Sequence, residues 1–324
     1  MRIKLLIIIS LFTLILLFKL NYNKPSNSNL PIIAIANYGP HSSLEDSIKG
    51  IKEELTSLGF IENKNIKYDI SNVGFDSSLI PQMISKLYSN KPTIMVAMTT
   101  PVAQFAKHLV KNTPLIFNVI TDPVEAGLLK NANEAENNMT CASDMQNLDL
   151  LLEFVKKILP QAKKVGLLYS TAESNDFALL KNLTNAVKKY DLELVAIAID
   201  QPRDVPIRMQ QFKNNVDFIY VGTSGPIQPT LPTISIEADK MRIPIFNANE
   251  EAVKKNQVLA SFGVNYIKIG HNTGRMIANL LKGDKIDNPI YPDAKNHQGF
   301  ISKKQAYYFG IKIPAYLTNT IIIE

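Results

Sequence analysis

Small oxygen-bearing side chains collect where the apolar runs of this sequence end. After PIIAIANYG come His41, Ser42 and Ser43; after TIMVAM come Thr99 and Thr100; after PLIFNVI come Thr121 and Asp122. Further along, KVGLLYST leads to Tyr169, Ser170, Glu173, Ser174 and Asn175. DFIYVGTS ends at Thr223, Ser224 and Gly225, and IPIFNAN leads to Asn247, Asn249 and Glu250. Hydroxyls, amides and carboxylates of this kind either cap the N–H groups of a following helix or hydrogen-bond a polar solute. At a single turn, as with Thr100 before PVAQFAKH, a cap is the minimal role. Two sets of such turns, one in each half of the chain, make two half-sites for a small molecule. Amides and hydroxyls there hold an anion without any lysine.

Residues suited to covalent chemistry are scattered instead. The single cysteine, Cys141 in MTCASD, cannot close an internal disulfide, and none of the four histidines, His41, His108, His271 and His297, shows a sequence sign of serving as its base. It reads as a small buried residue. His and Cys never approach metal-ligand spacing, no G-x-G-x-x-G follows the first apolar run, and neither G-x-x-x-x-G-K nor G-x-S-x-G occurs. The pattern asks for no metal and no cofactor. An enzyme built on Asp122 or Glu173 would lack a paired nucleophile and base, so binding ranks above catalysis.

The elements that must position these residues alternate in period. PIIAIANYG, NIKYDISNV, TIMVAMTT and PLIFNVIT are rich in Ile, Val and Thr, and LEDSIKGIKEELTSLG, SSLIPQMISKLYSN and PVAQFAKHLVKN between them have helical spacing. Near-continuous apolar strands predict a parallel sheet covered by helices on both faces. The rhythm stops between Asp122 and Asn147 and restarts with the helix LDLLLEFVKKILPQ, giving a second unit of similar size. The fold class is α/β, with two doubly wound lobes whose ligands belong at the carboxyl ends of the strands.

Charge points away from nucleic acid. Removing Arg2, Lys4 and Lys19 takes the net charge from +6 to +3, and the other lysines are dispersed in pairs such as Lys163 and Lys164. Arg2 and Lys4 precede an apolar run, Leu5 to Phe18, that is short for a spanning helix and ends at Lys19. Residues 1–28 therefore read as a signal peptide, or as an N-terminal anchor if uncleaved. The expected location is the periplasm, or the outer face of the cytoplasmic membrane if the segment is retained.

From residue 31 onward the chain resembles the ABC-transporter substrate-binding protein family that includes tryptophan- and tyrosine-binding members. The resemblance rests on VAMTTPVAQFAKH, PLIFNVITDPVEAGLL, LPQAKKVGLLY, RIPIFNANEEAVKKNQVLASFGVNYIKIGHNTGRMIANLLKG and FISKKQAYYFGI in that order. It implies a type I periplasmic-binding-protein-like fold with three crossovers joining the lobes. Residues 31–142 with about 264–292 would form the N-terminal lobe, and 143–263 with about 293–324 the C-terminal lobe. It also implies a monomer that captures a small molecule, often an aromatic amino acid, by hinge closure and delivers it to an ABC permease. The alternative is a ligand-sensing ectodomain held by an uncleaved N-terminal helix.

Carried over by position, the implied contacts are His41, Ser42 and Ser43, then Thr99, Thr100 and Asp122, then Ser143 and Asp144. In the second half they are Ser170, Glu173, Asn175, Thr223, Ser224 and Asn249. The chain departs from the family at Ser224 and Gly225, where Asp-Asn is usual, and at Asn249 to Glu251, where Asp-Glu-Gly is usual. It departs again at Ser170 and Thr171, where Asn-Pro is common. A buried ammonium needs acidic or several neutral acceptors, which leaves Asp122, Asp144 and Glu173 to supply the charge. Tyr38 and Tyr169 are the candidate aromatic wall, since the chain has no tryptophan.

Overall fold

The computed structural model describes residues 30–324, so the apolar Leu5 to Phe18 run and the signal or anchor expected there lie outside it. Among the described residues no helix is long and apolar enough to cross a membrane. The first sheet is built from β1 (Ile32–Asn37), β2 (Lys67–Asn72), β3 (Ile94–Met98), β4 (Leu115–Ile120) and β5 (Met139–Ser143). They run parallel in the order β2-β1-β3-β4-β5. The inner strands are buried along nearly their whole length, which is why they read as apolar runs without alternation. Helices α1 (Ser42–Ser57), α2 (Ile80–Ser89) and α3 (Thr100–Leu109) make the crossovers.

The interval from Asp122 to Asn147, which lacks a period, nevertheless holds β5. Its five residues, MTCAS, are all buried, but Thr140 and Ser143 interrupt the apolar pattern and the segment is too short to declare itself. Cys141 is one of them, a buried free thiol inside the first core.

The second sheet contains β6 (Lys164–Ser170), β7 (Glu193–Ile199), β8 (Phe218–Val221), β9 (Ile245–Asn247), β10 (Ala260–Gly263), β11 (Gln298–Ser302) and β12 (Thr320–Ile323). Its order is β12-β11-β10-β9-β8-β6-β7, parallel except for the antiparallel pair β10 and β11. The helices α4 (Leu148–Ile158), α5 (Ser174–Ala186), α6 (Val205–Met209), α7 (Leu231–Met241) and α8 (Glu250–Lys254) accompany it. Two apolar cores cover its two faces.

The chain passes between the sheets three times. It leaves the first after β5 and returns after β10 to form α9 (Tyr266–Lys282), whose Ile269, Met276 and Ile277 are buried in the first core. It then leaves again past Ile290, which bonds both Cys141 and Ser143 along the outer edge of β5, to enter β11 and the short α10 (Lys303–Phe309). Helices α1 and α9 meet backbone to backbone. A Cβ on Gly270 would stand 2.1 Å from the carbonyl oxygen of Ser47, so only glycine permits this separation. Beneath the contact, the Ser47 hydroxyl donates to Asn118 Oδ1 at 2.9 Å, and Asn118 Nδ2 donates to Thr273 Oγ1 at 2.7 Å. These bonds satisfy the polar atoms that α1, α9 and β4 bury together.

Candidate functional site

The carboxyl ends of both sheets face each other around a shared cavity. From the first lobe, His41, Ser43, Thr99, Thr100 and Asp144 line it, Asp144 following β5 and so belonging with the first sheet although the expected boundary is residue 142; from the second, Glu173, Asn175, Thr223, Ser224 and Asn249 do so. The structure thus gathers ten of the expected residues around one space.

The other four stand elsewhere, each for a local reason. Ser42 faces the opposite lobe, its Oγ accepting from Asn249 Nδ2 at 2.9 Å. Asp122 Oδ1 accepts the N–H groups of Val124 and Glu125 and so caps the turn after β4. Ser143 Oγ donates to the Ile120 carbonyl at 2.6 Å and accepts from the Met145 N–H, fixing the exit of the first crossing. Ser170 Oγ accepts from the Ala172 N–H. Tyr169 is likewise no part of the wall: it packs edge-on against Phe177, with ring centroids 6.0 Å apart.

The aromatic wall comes instead from Tyr38, Phe75 and Tyr266. Tyr38 and Phe75 meet edge to face at 5.5 Å, a geometry aromatic pairs favour. Phe75, Val119, Gln228 and Tyr266 were not singled out from the sequence. Phe75 follows Gly74 in NVGFD and Tyr266 opens a helix in GVNYI, each a large apolar group at a turn. That signal marks a surface pocket as readily as a folding contact.

Thr99 has an unusual backbone. Its φ of 73° and ψ of 156° place a β-branched residue in a region almost reserved for glycine. The expectation that Thr100 caps the helix gives way: Thr99 is the cap position, Thr100 is the first helical residue, and Thr99 makes no side-chain cap bond. Its N–H donates to the Asn118 carbonyl at 2.9 Å, and its buried Oγ1 has no partner. Val119, beside it on β4 where the register to β5 shifts, also has positive φ, at 58°. Strain held on adjacent strands at a cavity wall is characteristic of functional sites. Thr99→Gly is expected to stabilise the protein by about 1 kcal/mol, the strain relieved less the glycine entropy. A urea midpoint below that of the wild type would contradict this.

The electrostatics are one-sided. Asp144 and Glu173 line the cavity, as do no lysine and no arginine. Glu173 is 5% exposed; its Oε2 accepts from the Gly225 N–H at 3.1 Å while Oε1 has no partner. Burial raises its pKa against the opposing pull of that N–H, the Tyr38 hydroxyl and Asn175. Asp144 is 2% exposed; Tyr266 donates its O–H to Oδ2 at 3.3 Å, and Oδ1 has no partner. Burial lifts the Asp144 pKa to about 6. Asn175 Oδ1 and Gln228 Oε1 are also buried and unpartnered.

Behind this layer lies Asp176, whose Oδ2 accepts from the Ser170 N–H at 2.8 Å and from the Ser224 hydroxyl at 2.7 Å. Burial, with the charge of Glu173 adding to it, lifts Asp176 to about 7. The carboxylate missing at position 224 is thus replaced by one that reaches Ser224 from α5. His41 caps α1, its Nδ1 accepting from the Ser43 N–H. Burial and the charge of Lys255 lower its pKa and keep it neutral.

The two lobes touch around the cavity. Asn249 Nδ2 donates to the hydroxyls of Ser42 and Ser43, Gln104 Nε2 donates to Ser174 Oγ at 3.1 Å, and Lys181 pairs with Glu125. Gly225 lies so close to Tyr38 that a Cβ there would sit 2.4 Å from the ring.

Residues 32–320 match the family described as ABC transporter substrate binding protein. A tyrosine-binding protein from Clostridioides difficile (strain R20291) is 33% identical over 272 residues, 83% of this chain and 79% of that one. An ABC domain from Streptococcus pneumonia, solved in complex with L-Trp, superposes with a TM-score of 0.84 at 27% identity, covering 91% of this chain and all of that one. A substrate binding protein with adhesive properties from Clostridium difficile, in its ligand-free, open form, superposes with a TM-score of 0.71 at 26% identity, covering 91% of this chain and 99% of that one.

Proposed function

The chain belongs to the ABC transporter substrate-binding protein family, and on that premise we propose that it captures an aromatic amino acid between its lobes, outside the cytoplasm, for an ABC importer. The observation that carries this reading is a cavity with an aromatic wall and two buried carboxylates, each with a free oxygen and no cation among the lining residues. An ionised carboxylate in such a place is costly until a positive group joins it. An α-ammonium supplies that group. The α-carboxylate goes to the start of α3, where Thr99 leaves the helix end uncapped and no acidic residue occupies the first turn.

Closure follows from the division of the site. Each lobe brings only half of the contacts, so a ligand docked on one lobe is completed by the other, and the closed form is favoured by the ligand's differential affinity for it. The better superposition on the L-Trp complex than on the ligand-free, open relative accords with a closed arrangement. Calorimetric titration with L-tyrosine, L-tryptophan, glucose and uridine tests the ligand class. One-site saturable binding of an aromatic amino acid is expected. Binding only of the sugar or the nucleoside would overturn the assignment.

A further inference from the structure

Asn249 lines the cavity, yet its side chain has no donor left for a ligand. It is 7% exposed. Oδ1 accepts the Glu251 N–H at 2.7 Å, which caps α8 and fixes the way the amide points. Nδ2 is thereby turned to the other lobe, where it donates to Ser42 Oγ and to Ser43 Oγ, each at 2.9 Å. An amide nitrogen carries two hydrogens, and both are used.

The two hydroxyls open α1, so these bonds run directly from the second lobe to the first. Ser43 also has the Tyr266 hydroxyl beside it, at the start of α9. The lobes meet again where Gln104 Nε2 donates to Ser174 Oγ at 3.1 Å and where Lys181 pairs with Glu125. That ion pair is exposed, and Gln104 Nε2 is shared with the Ala126 carbonyl. An exposed ion pair contributes little. The bonds of Asn249 are the better shielded, and parting the lobes exchanges both for water. At the usual net strength of a hydrogen bond, losing the two shifts the balance between open and closed lobes about 10-fold or more.

We infer that Asn249 is a positioning residue: it latches the second lobe onto the start of α1 and sets how readily the lobes close, without itself touching the ligand. This rests on the capture-by-closure reading above and adds to it a part of closure that no ligand supplies. When only the closed form holds the ligand, apparent affinity scales with the fraction of protein that closes. Loss of the latch therefore weakens every ligand by one factor and leaves preferences unchanged.

Carbodiimide coupling of Lys181 to Glu125 reports closure in the ligand-free protein, because the two side chains touch across the lobes. Peptide mass spectrometry should find that cross-link forming about 10-fold more slowly in Asn249→Ala and about threefold more slowly in Ser42→Ala. Ser42 is not among the cavity-lining residues, so its effect cannot come from a ligand contact. The double variant should stay within about twofold of Asn249→Ala, since both changes remove bonds of one amide. Calorimetric titration with L-tyrosine and L-tryptophan should show both weakened by the same factor in each variant. Asn249→Ser keeps a capping oxygen for α8 and replaces Asn249→Ala if that variant fails to fold, while Ser42→Ala leaves the cap untouched. Cross-linking at the wild-type rate in the folded variants, or unequal factors for the two amino acids, overturns the latch. Absence of wild-type binding to either amino acid overturns the amino-acid reading, and the cross-linking rate still decides the latch.

Discussion

Glutamine in place of Glu173 should lower affinity for the bound amino acid about 100-fold while raising the melting temperature of the ligand-free protein at pH 7.5. The two effects have opposite signs because the same charge acts in both states. Without a ligand, Glu173 is a buried carboxylate whose Oε2 accepts the Gly225 N–H and whose Oε1 makes no well-formed hydrogen bond, with the Tyr38 hydroxyl and Asn175 as its remaining polar neighbours. Burial already pushes its pKa upward, which is the free energy of that unmet desolvation expressed as proton affinity. The amide of glutamine has nearly the same shape and no charge, so it relieves the empty site and deprives the ammonium of its counterion. Equilibrium unfolding and titration calorimetry on the same preparation give both signs. A variant that is less stable and binds equally well would contradict the assignment.

The second large effect is a pH dependence in which stability and affinity move apart. Asp144 titrates near 6 and Asp176 near 7 in the folded protein, both far above the ordinary value of 3.8. Between these values the folded state holds protons that the unfolded chain has released, so the stability these groups contribute is present at low pH and is lost as pH rises through about 6 to 7. His41 and His297, whose charged forms burial disfavours, act in the other direction, and the unfolded chain still holds part of their protons above their ordinary value of 6.5. The melting temperature of the ligand-free wild type should therefore fall relative to that of Asp176→Asn as pH rises from about 5 to 8, a comparison in which the histidines cancel. Affinity for an ammonium ligand should rise as pH increases through the acid range, because Glu173, whose pKa burial raises, must be ionised to receive it. Binding near pH 6 should release protons, measurable as a buffer-dependent calorimetric enthalpy. Affinity that grows as pH falls would rule out this electrostatic account.

The fold was legible in the sequence where complete burial went with an unbroken apolar run. IMVAM and LIFNVI announce parallel strands because every residue of β3 and β4 is buried. β5 escaped because Thr140 and Ser143 break the apolar run while remaining inside it. Polar residues at strand ends located the cavity, since those ends converge in any open parallel sheet, but they could not tell its lining from its supports. Asp122 and Ser143 stand at strand ends as Asp144 does, yet Asp122 Oδ1 caps local N–H groups and Ser143 Oγ bonds the Ile120 carbonyl, while Asp144 Oδ1 is buried without a hydrogen bond. That distinction depends on the turn each residue enters. Asp176 was invisible for a related reason: an acid in the first turn of α5 looks like a dipole-stabilising residue until Ser224 is brought to it from β8.

Thr99 shows the same limit from another side. A threonine before Thr-Pro reads as the start of a helix, and so it is, but its positive φ and its unbonded hydroxyl belong to the fold around β4. The neighbouring Val119 repeats the strain where the register shifts. Neither conformation is encoded by residue type, since both residues avoid it on their own.

Capture by closure is most directly tested by small-angle X-ray scattering of the protein with and without saturating L-tyrosine or L-tryptophan, at concentrations where calorimetry shows the site filled. A smaller radius of gyration is expected only when the ligand is present. Saturable binding with an unchanged scattering curve would contradict it.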